Sequence, residues 1–413
     1  MILLVLFFFL ILFTPTVFQI PRGIILFLLI IVTFRPNIRL YINKDIFTIW
    51  VITFSVSLFA FILGVYRGNA GAIPYVGLYL AWPALFLYFM LRCNSINTVI
   101  ILLRTIVYGG LIVSLFNLLM IINSFMLHIS ILERFGDILK CSFNINEGFA
   151  EYFSPSGNHL PYIIYFCLSL LFLDSKVINI KKRYLVICII IGIIDILASN
   201  RRAMWLVIMI LPFVIMFFLS LLPYHKRIIV KILGLGIVAA TFVTFIILTF
   251  LNIEYIQNEF FTSFESDNSS NIERVLQAKS LFADFLERPL LGSGLGHVSS
   301  YIRTPHAPWS YELTFNYNLT ELGIIGFSIY GFAILWTYIK SIVLSNKSII
   351  YASMLIPQIM GLLSLMMISI TNPYIATFDF VWTIFLPIIT INTLWKEKQN
   401  EKQKKESFCI PKG

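Results

Sequence analysis

Two adjacent arginines, Arg201 and Arg202, are the residues of this sequence best suited to bind an anion. They stand between two apolar runs, so they are expected at a membrane boundary. A guanidinium group stays charged at any working pH and can hold two phosphate oxygens at once. Asp195 precedes Arg202 by seven residues, or two turns of a helix. Two interpretations are open: an Asp195–Arg202 ion pair, or a site for an external anion. We favour the second, because the ion pair would leave Arg201 without a partner.

A third arginine, Arg274, lies in a predicted amphipathic helix. Ser270 and Glu273 have capping-box spacing, which predicts that the helix begins there. Arg288-Pro289 predicts its end. Apolar residues recur between these points at helical intervals, so the helix is expected to lie on the bilayer or to cover a cavity. Taken alone, Arg274 is explained as part of a solvated polar face.

Three alternating glycines, Gly292, Gly294 and Gly296, follow this helix. They allow a sharp turn whose backbone N–H groups are exposed and could surround an anion. The alternative is a flexible link to the next segment.

His306 is the first candidate for a general base. It lies between Pro305 and Pro308, in a segment expected to be extended and external. An isolated external histidine usually belongs to the polar surface, but one near basic groups and a carboxylate is a better proton acceptor.

The composition shows which elements must position these residues. Apolar residues make up 59% of the 413 residues and charged residues 12%, which excludes a soluble globular enzyme, a disordered chain and a fibrous one. The five scattered cysteines predict neither a disulfide framework nor structural zinc. We therefore predict an all-α polytopic integral membrane protein with about twelve transmembrane helices. The apolar runs lie at residues 2–18, 23–34, 46–65, 73–91, 98–122, 159–173, 184–199, 203–222, 229–250, 317–339, 349–369 and 375–395.

The positive charges predict the orientation. With the N-terminus in the cytoplasm, 20 of the 30 Lys and Arg residues fall on the inner side, so both termini are expected there. The formal charge of +10 is assigned to loops facing anionic lipid, and no nucleic-acid partner is predicted. The expected organisation is spans 1–5 in 1–122, a periplasmic loop at 123–158, spans 6–9 in 159–250, a large periplasmic loop at 251–315, spans 10–12 in 316–395 and a basic cytoplasmic tail at 396–413.

The order of these motifs resembles the O-antigen polymerase and ligase superfamily of bacterial membrane glycosyltransferases. The matching pieces are Ser199–Arg202, Arg274, Pro289–Gly296, His306 and Glu321–Gly326. There are two departures from the family pattern. Asn200 is inserted between Ser199 and the arginines, and Ala307 follows His306 where an asparagine is common.

The resemblance implies a GT-C-like fold in the bacterial inner membrane. It also implies glycan transfer from an undecaprenyl-diphosphate carrier to a sugar hydroxyl on the periplasmic side, without a cofactor. Arg201, Arg202 and Arg274 would bind the diphosphate, and His306, or second Glu312, would act as the base. Asp195, Gly292, Gly294 and Glu321 would support the site. The implied partners are a lipid-linked glycan donor and acceptor, the lipid bilayer and a polysaccharide chain-length regulator.

Three functions are weighed. The first is a polymerase that joins lipid-linked repeat units. The second is a ligase that transfers the finished chain to lipid A–core. The third is a transporter or flippase, for which Asp195 and Asp379 inside spans would suit proton coupling. No metal site is predicted, because the chain has no Asp-x-Asp and Glu265-Ser266-Asp267 is better explained as an exposed turn.

Overall fold

The chain forms a helical bundle with one small β-hairpin, in a computed structural model that describes residues 1–34, 41–92, 94–146, 149–173, 175–199, 201–223 and 269–408. The α-helices are α1 Ile2–Phe13, α2 Gln19–Thr33, α3 Lys44–Tyr66, α4 Trp82–Arg92, α5 Ile96–Ile122, α6 Ser130–Ile138, α7 Leu160–Phe172, α8 Lys182–Ala198, α9 Arg202–Ser220, α10 Ser269–Glu287, α11 Thr314–Ser345, α12 Ile349–Ile368 and α13 Trp382–Phe408. Strands β1 (Ser142–Asn146) and β2 (Phe149–Phe153) pair antiparallel. The all-α polytopic fold predicted from composition is confirmed.

Each predicted apolar run within the described residues overlaps a helix, and the ninth run, 229–250, lies outside them. The first run, 2–18, extends past the end of α1 at Phe13. The last run is wrong at its start. Residues 375–381 form turns, and α13 begins only at Trp382. Asp379 within this segment accepts from the Thr16 N–H and pairs with Arg22, which holds residues 375–381 as a loop against the first two helices.

The membrane-crossing helices can be identified in part. Among the described residues, four helices are long and apolar enough to cross a bilayer, namely α3, α5, α11 and α12. They become five if the two halves of α9, which are bent by 42°, count as one span. Several shorter apolar helices accompany them, so the chain is a multi-pass membrane protein. The number of twelve spans and the cytoplasmic location of both termini remain predictions.

The centre of the bundle is the packing of α7 against α12. Almost every side chain of α7 is buried, which explains why this helix is apolar on all sides. Gly361 of α12 allows the close approach, since a β-carbon there would lie 2.7 Å from the ring of Tyr162. The candidate site is built on the loops at the ends of these central helices.

Candidate functional site

Arg201 lies at the N-terminal end of α9, against two aromatic side chains. Its Nη1 donates a hydrogen bond to the hydroxyl of Tyr374, and its guanidinium carbon lies 4.3 Å from the ring centroid of Phe153. The hydrogen bond and the cation–π contact hold the guanidinium in place at this helix end. The helix N-terminus adds positive potential at the same place. Arg202 is the first residue of α9 and is half-buried.

Asp195 is buried in α8 and shares a small polar pocket with Asn117, Tyr152 and Arg201. Neither of its carboxyl oxygens has a hydrogen-bond partner among the described residues. The predicted Asp195–Arg202 ion pair is therefore not formed as a hydrogen-bonded pair. The seven-residue spacing is misleading because α8 ends at Ala198, so Asp195 and Arg202 do not share one continuous helix.

Arg274 belongs to a cluster that holds one nearly buried carboxylate. Its Nε lies 3.1 Å from Glu312 Oε2, and Arg303 Nη1 lies 2.8 Å from Glu312 Oε1. The Glu312 backbone N–H donates to the side-chain oxygen of buried Gln277, 3.0 Å away. Both carboxylate oxygens of Glu312 are thus occupied by arginines. Glu312 is therefore better suited to position Arg274 and Arg303 than to accept a proton from a substrate.

The loop between α12 and α13 connects the two arginine sites. Tyr374 of this loop accepts the hydrogen bond from Arg201 and also lies within electrostatic range of Glu312. The hydroxyl of Thr314 donates to the carbonyl of Asn372, 3.3 Å away, which attaches the same loop to the segment after Glu312. Arg201 therefore contacts this loop directly, whereas Arg274 is linked to it through Glu312 and the segment that follows Glu312.

Tyr374 keeps its proton at neutral pH. Burial raises the pKa of its phenol above the ordinary value, and Glu312 raises it further, although Arg201 acts in the opposite direction. The protonated hydroxyl accepts from Arg201 and retains a proton to donate. Tyr374 is thus a hydrogen-bond donor for an anion beside Arg201, and no motif in the sequence marks it.

The glycine turn after α10 is packed against the bundle, and its backbone N–H groups are already used. Gly292, Gly294 and Gly296 all have positive φ, from 71° to 81°. The Gly292 N–H donates to the Arg288 carbonyl, and the Gly294 N–H donates to the Glu321 carbonyl. The Gly296 N–H donates to Glu321 Oε1. The predicted nest of exposed N–H groups is therefore not formed, and the turn is not a flexible link.

A break in α11 explains this docking. Gly323 has φ 64° and ψ 178°, which interrupts the helix next to Glu321. The Thr320 carbonyl therefore accepts from the Ser293 N–H, 2.8 Å away. The Asn69 side chain, just beyond α3, donates to the Ser293 carbonyl at 2.9 Å. The turn thus joins α3 and α11, and the buried side chain of Glu321 adds a further hydrogen bond to this contact.

Replacing Gly294 with alanine is expected to lower the melting temperature of the purified protein. A β-carbon there would lie 2.5 Å from the Gly64 backbone nitrogen, and φ is 81°. Strained backbone conformations of this kind cost about 1–3 kcal/mol, and the clash adds to that cost. Gly68→Ala is the matched control, since Gly68 has φ 72° but has no atom within 4 Å of the added carbon. Equal melting temperatures for the two variants would contradict the packing argument.

The two histidines of this segment differ in their surroundings. His306 is exposed, and no described residue forms a hydrogen bond with its ring. His297 Nε2 lies 3.0 Å from Asp284 Oδ2, a pair that the sequence analysis missed. Asp284 follows Arg274 by ten residues of α10, which places the pair about 15 Å along the helix. His306, three residues beyond Arg303 in the chain, stays the first candidate for the base.

No cluster of three or more His, Cys, Asp or Glu side chains suited to a metal ion occurs in the described part of the chain. Glu265 and Asp267 lie outside it. The expectation of metal-independent chemistry stays a prediction.

Residues 187–330, about a third of the chain, match the family model described as O-antigen ligase. No curated protein and no solved structure matches the chain significantly. The matched segment contains Arg201, Arg274, Glu312 and the glycine turn, whereas Phe153 and Tyr374 lie outside it. Over these residues the chain is similar to the O-antigen ligase family.

Proposed function

We propose that the protein is a surface-polysaccharide polymerase that joins undecaprenyl-diphosphate-linked oligosaccharide repeat units on the periplasmic side of the inner membrane. The observation that carries the proposal is that Arg201 contacts Tyr374 and Arg274 contacts Glu312, with both linked to one loop that adjoins an apolar cavity between the helices. A lipid diphosphate needs both parts, namely cations for the headgroup and an apolar space for the chain.

The apolar cavity lies between α3, α4, α11 and α13. Trp50, Phe86, Ile334 and Phe385 line it on four sides, and Ile375, which follows Tyr374, also belongs to its wall. The cavity thus adjoins the loop that contacts Arg201. This supports a binding mode in which the polyprenyl chain lies between the helices and the diphosphate lies beside the arginines.

The proposed reaction is attack of an acceptor hydroxyl on the anomeric carbon of the donor sugar. The new glycosidic C–O bond forms as the bond from the anomeric carbon to the diphosphate oxygen breaks, and His306 takes the hydroxyl proton. Negative charge grows on the departing diphosphate. Preorganised cations aimed at such charge usually make the largest contribution to catalysis.

The test is the surface glycan of a deletion strain, displayed as a ladder by gel electrophoresis. Loss of a polymerase leaves a single repeat unit on the lipid A–core, and the ladder returns when the wild-type chain is expressed. A ligase gives a different result, because its loss leaves no repeat unit on the core. That alternative is retained because the matching family model is described as O-antigen ligase.

The carboxylates give little support to a transporter. Asp379 lies in the loop before α13, where it pairs with Arg22, and not inside a span as the sequence analysis expected. Asp195 shares its pocket with Arg201. Solute uptake into reconstituted vesicles that is unaffected by Arg274→Ala would favour a transporter over the polymerase.

A chelator is expected to leave the activity of the purified enzyme unchanged. In the proposed site, arginine side chains neutralise the diphosphate, a task that a divalent cation performs in metal-dependent enzymes. Polymer synthesis is measured with and without EDTA, on lipid-linked repeat units. Inhibition that added Mg²⁺ or Mn²⁺ reverses would contradict the prediction.

A further inference from the structure

The short helix α6 has an apolar face that the described part of the protein leaves mostly exposed, although the ring of Phe135 packs edge-on against Phe116 of α5, with ring centroids 5.8 Å apart. Ile131, Phe135 and Ile138 recur at helical spacing and are all exposed, Ile131 to 74% of its surface. Glu133 and Asp137 occupy other positions around the helix. An amphipathic helix with an exposed apolar face is the pattern of a helix that lies in a membrane interface.

The apolar face of α6 continues a stripe of α5. Ile112, Leu115, Leu119 and Ile122 are exposed at intervals of three and four residues along α5, which is long and apolar enough to span a membrane. A helix whose apolar residues are exposed along one side is expected to turn that side toward lipid when it spans a membrane. Met126 and Leu127, which are also exposed, connect this stripe to α6.

We propose that α6 lies in the membrane interface at the C-terminal end of α5, with Ile131, Phe135 and Ile138 in contact with lipid. The continuous stripe favours lipid over a protein partner. The exposed apolar residues from Ile112 of α5 to Ile138 of α6 would then all lie in the same environment, the lipid. The inference does not depend on the proposed polymerase function.

The position of α6 matters because the hairpin that follows it reaches Arg201. Gly136 packs against Met120 of α5, where a β-carbon would lie 2.5 Å from the methionine methyl group. Tyr152 of β2 donates a hydrogen bond to Asn117 of α5 at 3.3 Å. The adjacent Phe153 stacks on Arg201. Both α6 and the hairpin that carries Phe153 are thus attached to the same end of α5.

The test is photo-crosslinking of the full chain in nanodiscs of palmitoyl-oleoyl phosphatidylethanolamine and phosphatidylglycerol. Benzoylphenylalanine is introduced in place of Ile131 or Ile138, and in place of Glu133 or Asp137 as matched controls on the same helix. After irradiation, the two apolar positions are expected to gain the mass of one phospholipid at least five times as often as the two acidic positions. Leu115 of α5 serves as the positive control for lipid contact.

Several results would overturn the proposal. A crosslink from Ile131 to residues 224–268, to a second copy of the chain or to another protein would identify a protein occupant. Water exposure would be shown by no adduct at Ile131 and Ile138 while Leu115 gains lipid. Because two apolar positions are probed separately, misfolding of one variant does not decide the outcome.

Discussion

Replacing Arg274 with alanine is expected to reduce polymer synthesis by about 10²–10³-fold, the usual loss when one preorganised donor to developing charge is removed. The protein is expected to accumulate in the membrane at its normal level. Arg274 is partly exposed and pairs with Glu312, so its guanidinium lies at the edge of the site. The measurement is the rate of chain growth per molecule of purified enzyme, together with the ladder of the complemented deletion strain.

The neighbouring Arg303 provides the matched control. It binds the other oxygen of Glu312 at 2.8 Å. If Arg274 served only to neutralise Glu312, then Arg303→Ala would be as harmful as Arg274→Ala, and Glu312→Gln, which removes the charge to be neutralised, would be harmless. We expect Arg303→Ala to retain most activity and Glu312→Gln to cause an intermediate loss, because Glu312 orients Arg274 without binding substrate. Near-normal polymer from the Arg274→Ala enzyme would remove the basis of the proposed diphosphate site.

Lysine is expected to substitute poorly for Arg274. An ammonium group keeps the charge but lacks the planar fork that binds two phosphate oxygens. The double variant Arg201→Ala, Arg202→Ala should likewise abolish chain growth. Arg201→Lys separates the two contributions of that residue, since it keeps the charge and loses the stacking on Phe153.

Much of the fold follows from patterns that are local in the sequence. Apolar runs of sufficient length place helices, and Arg288-Pro289 places the C-terminal end of α10 within one residue. Those signals depend on neighbouring residues alone. The spacing of Asp195 and Arg202 failed as a guide because the chain leaves the helix between them.

The contacts of the candidate site depend on residues far apart in the chain. Arg201 meets Tyr374 across 173 residues, and Asn69 meets Ser293 across 224. No periodicity in a single sequence indicates such pairs. The glycine turn shows the same limit, since its φ values are predictable from glycine, whereas its acceptors are set by the break at Gly323 in another helix.

The buried ion pair of Arg22 and Asp379 lies outside the segment that matches the family model. The two side chains are 6% and 10% exposed, and the Thr16 N–H donates to Asp379 Oδ2 at 3.0 Å. Asp379 belongs to the loop that carries Tyr374. The pair therefore fastens this loop to the first two helices and, through Tyr374, supports the position of Arg201.

Replacing Arg22 with leucine is expected to destabilise the protein by about 3–5 kcal/mol, because an unpaired carboxylate is left buried. The double variant Arg22→Leu, Asp379→Leu should be more stable than Arg22→Leu alone, since it removes both charges. Lys340→Ala is the control, because Lys340 pairs with exposed Asp45 at 3.9 Å, and such surface pairs contribute about 0–1 kcal/mol. The measurement is the melting temperature of the purified variants in detergent. Equal melting temperatures for Arg22→Leu and Lys340→Ala would contradict a buried ion pair, whereas a stable double variant with little activity would show that the loop needs the pair to hold Tyr374 in place.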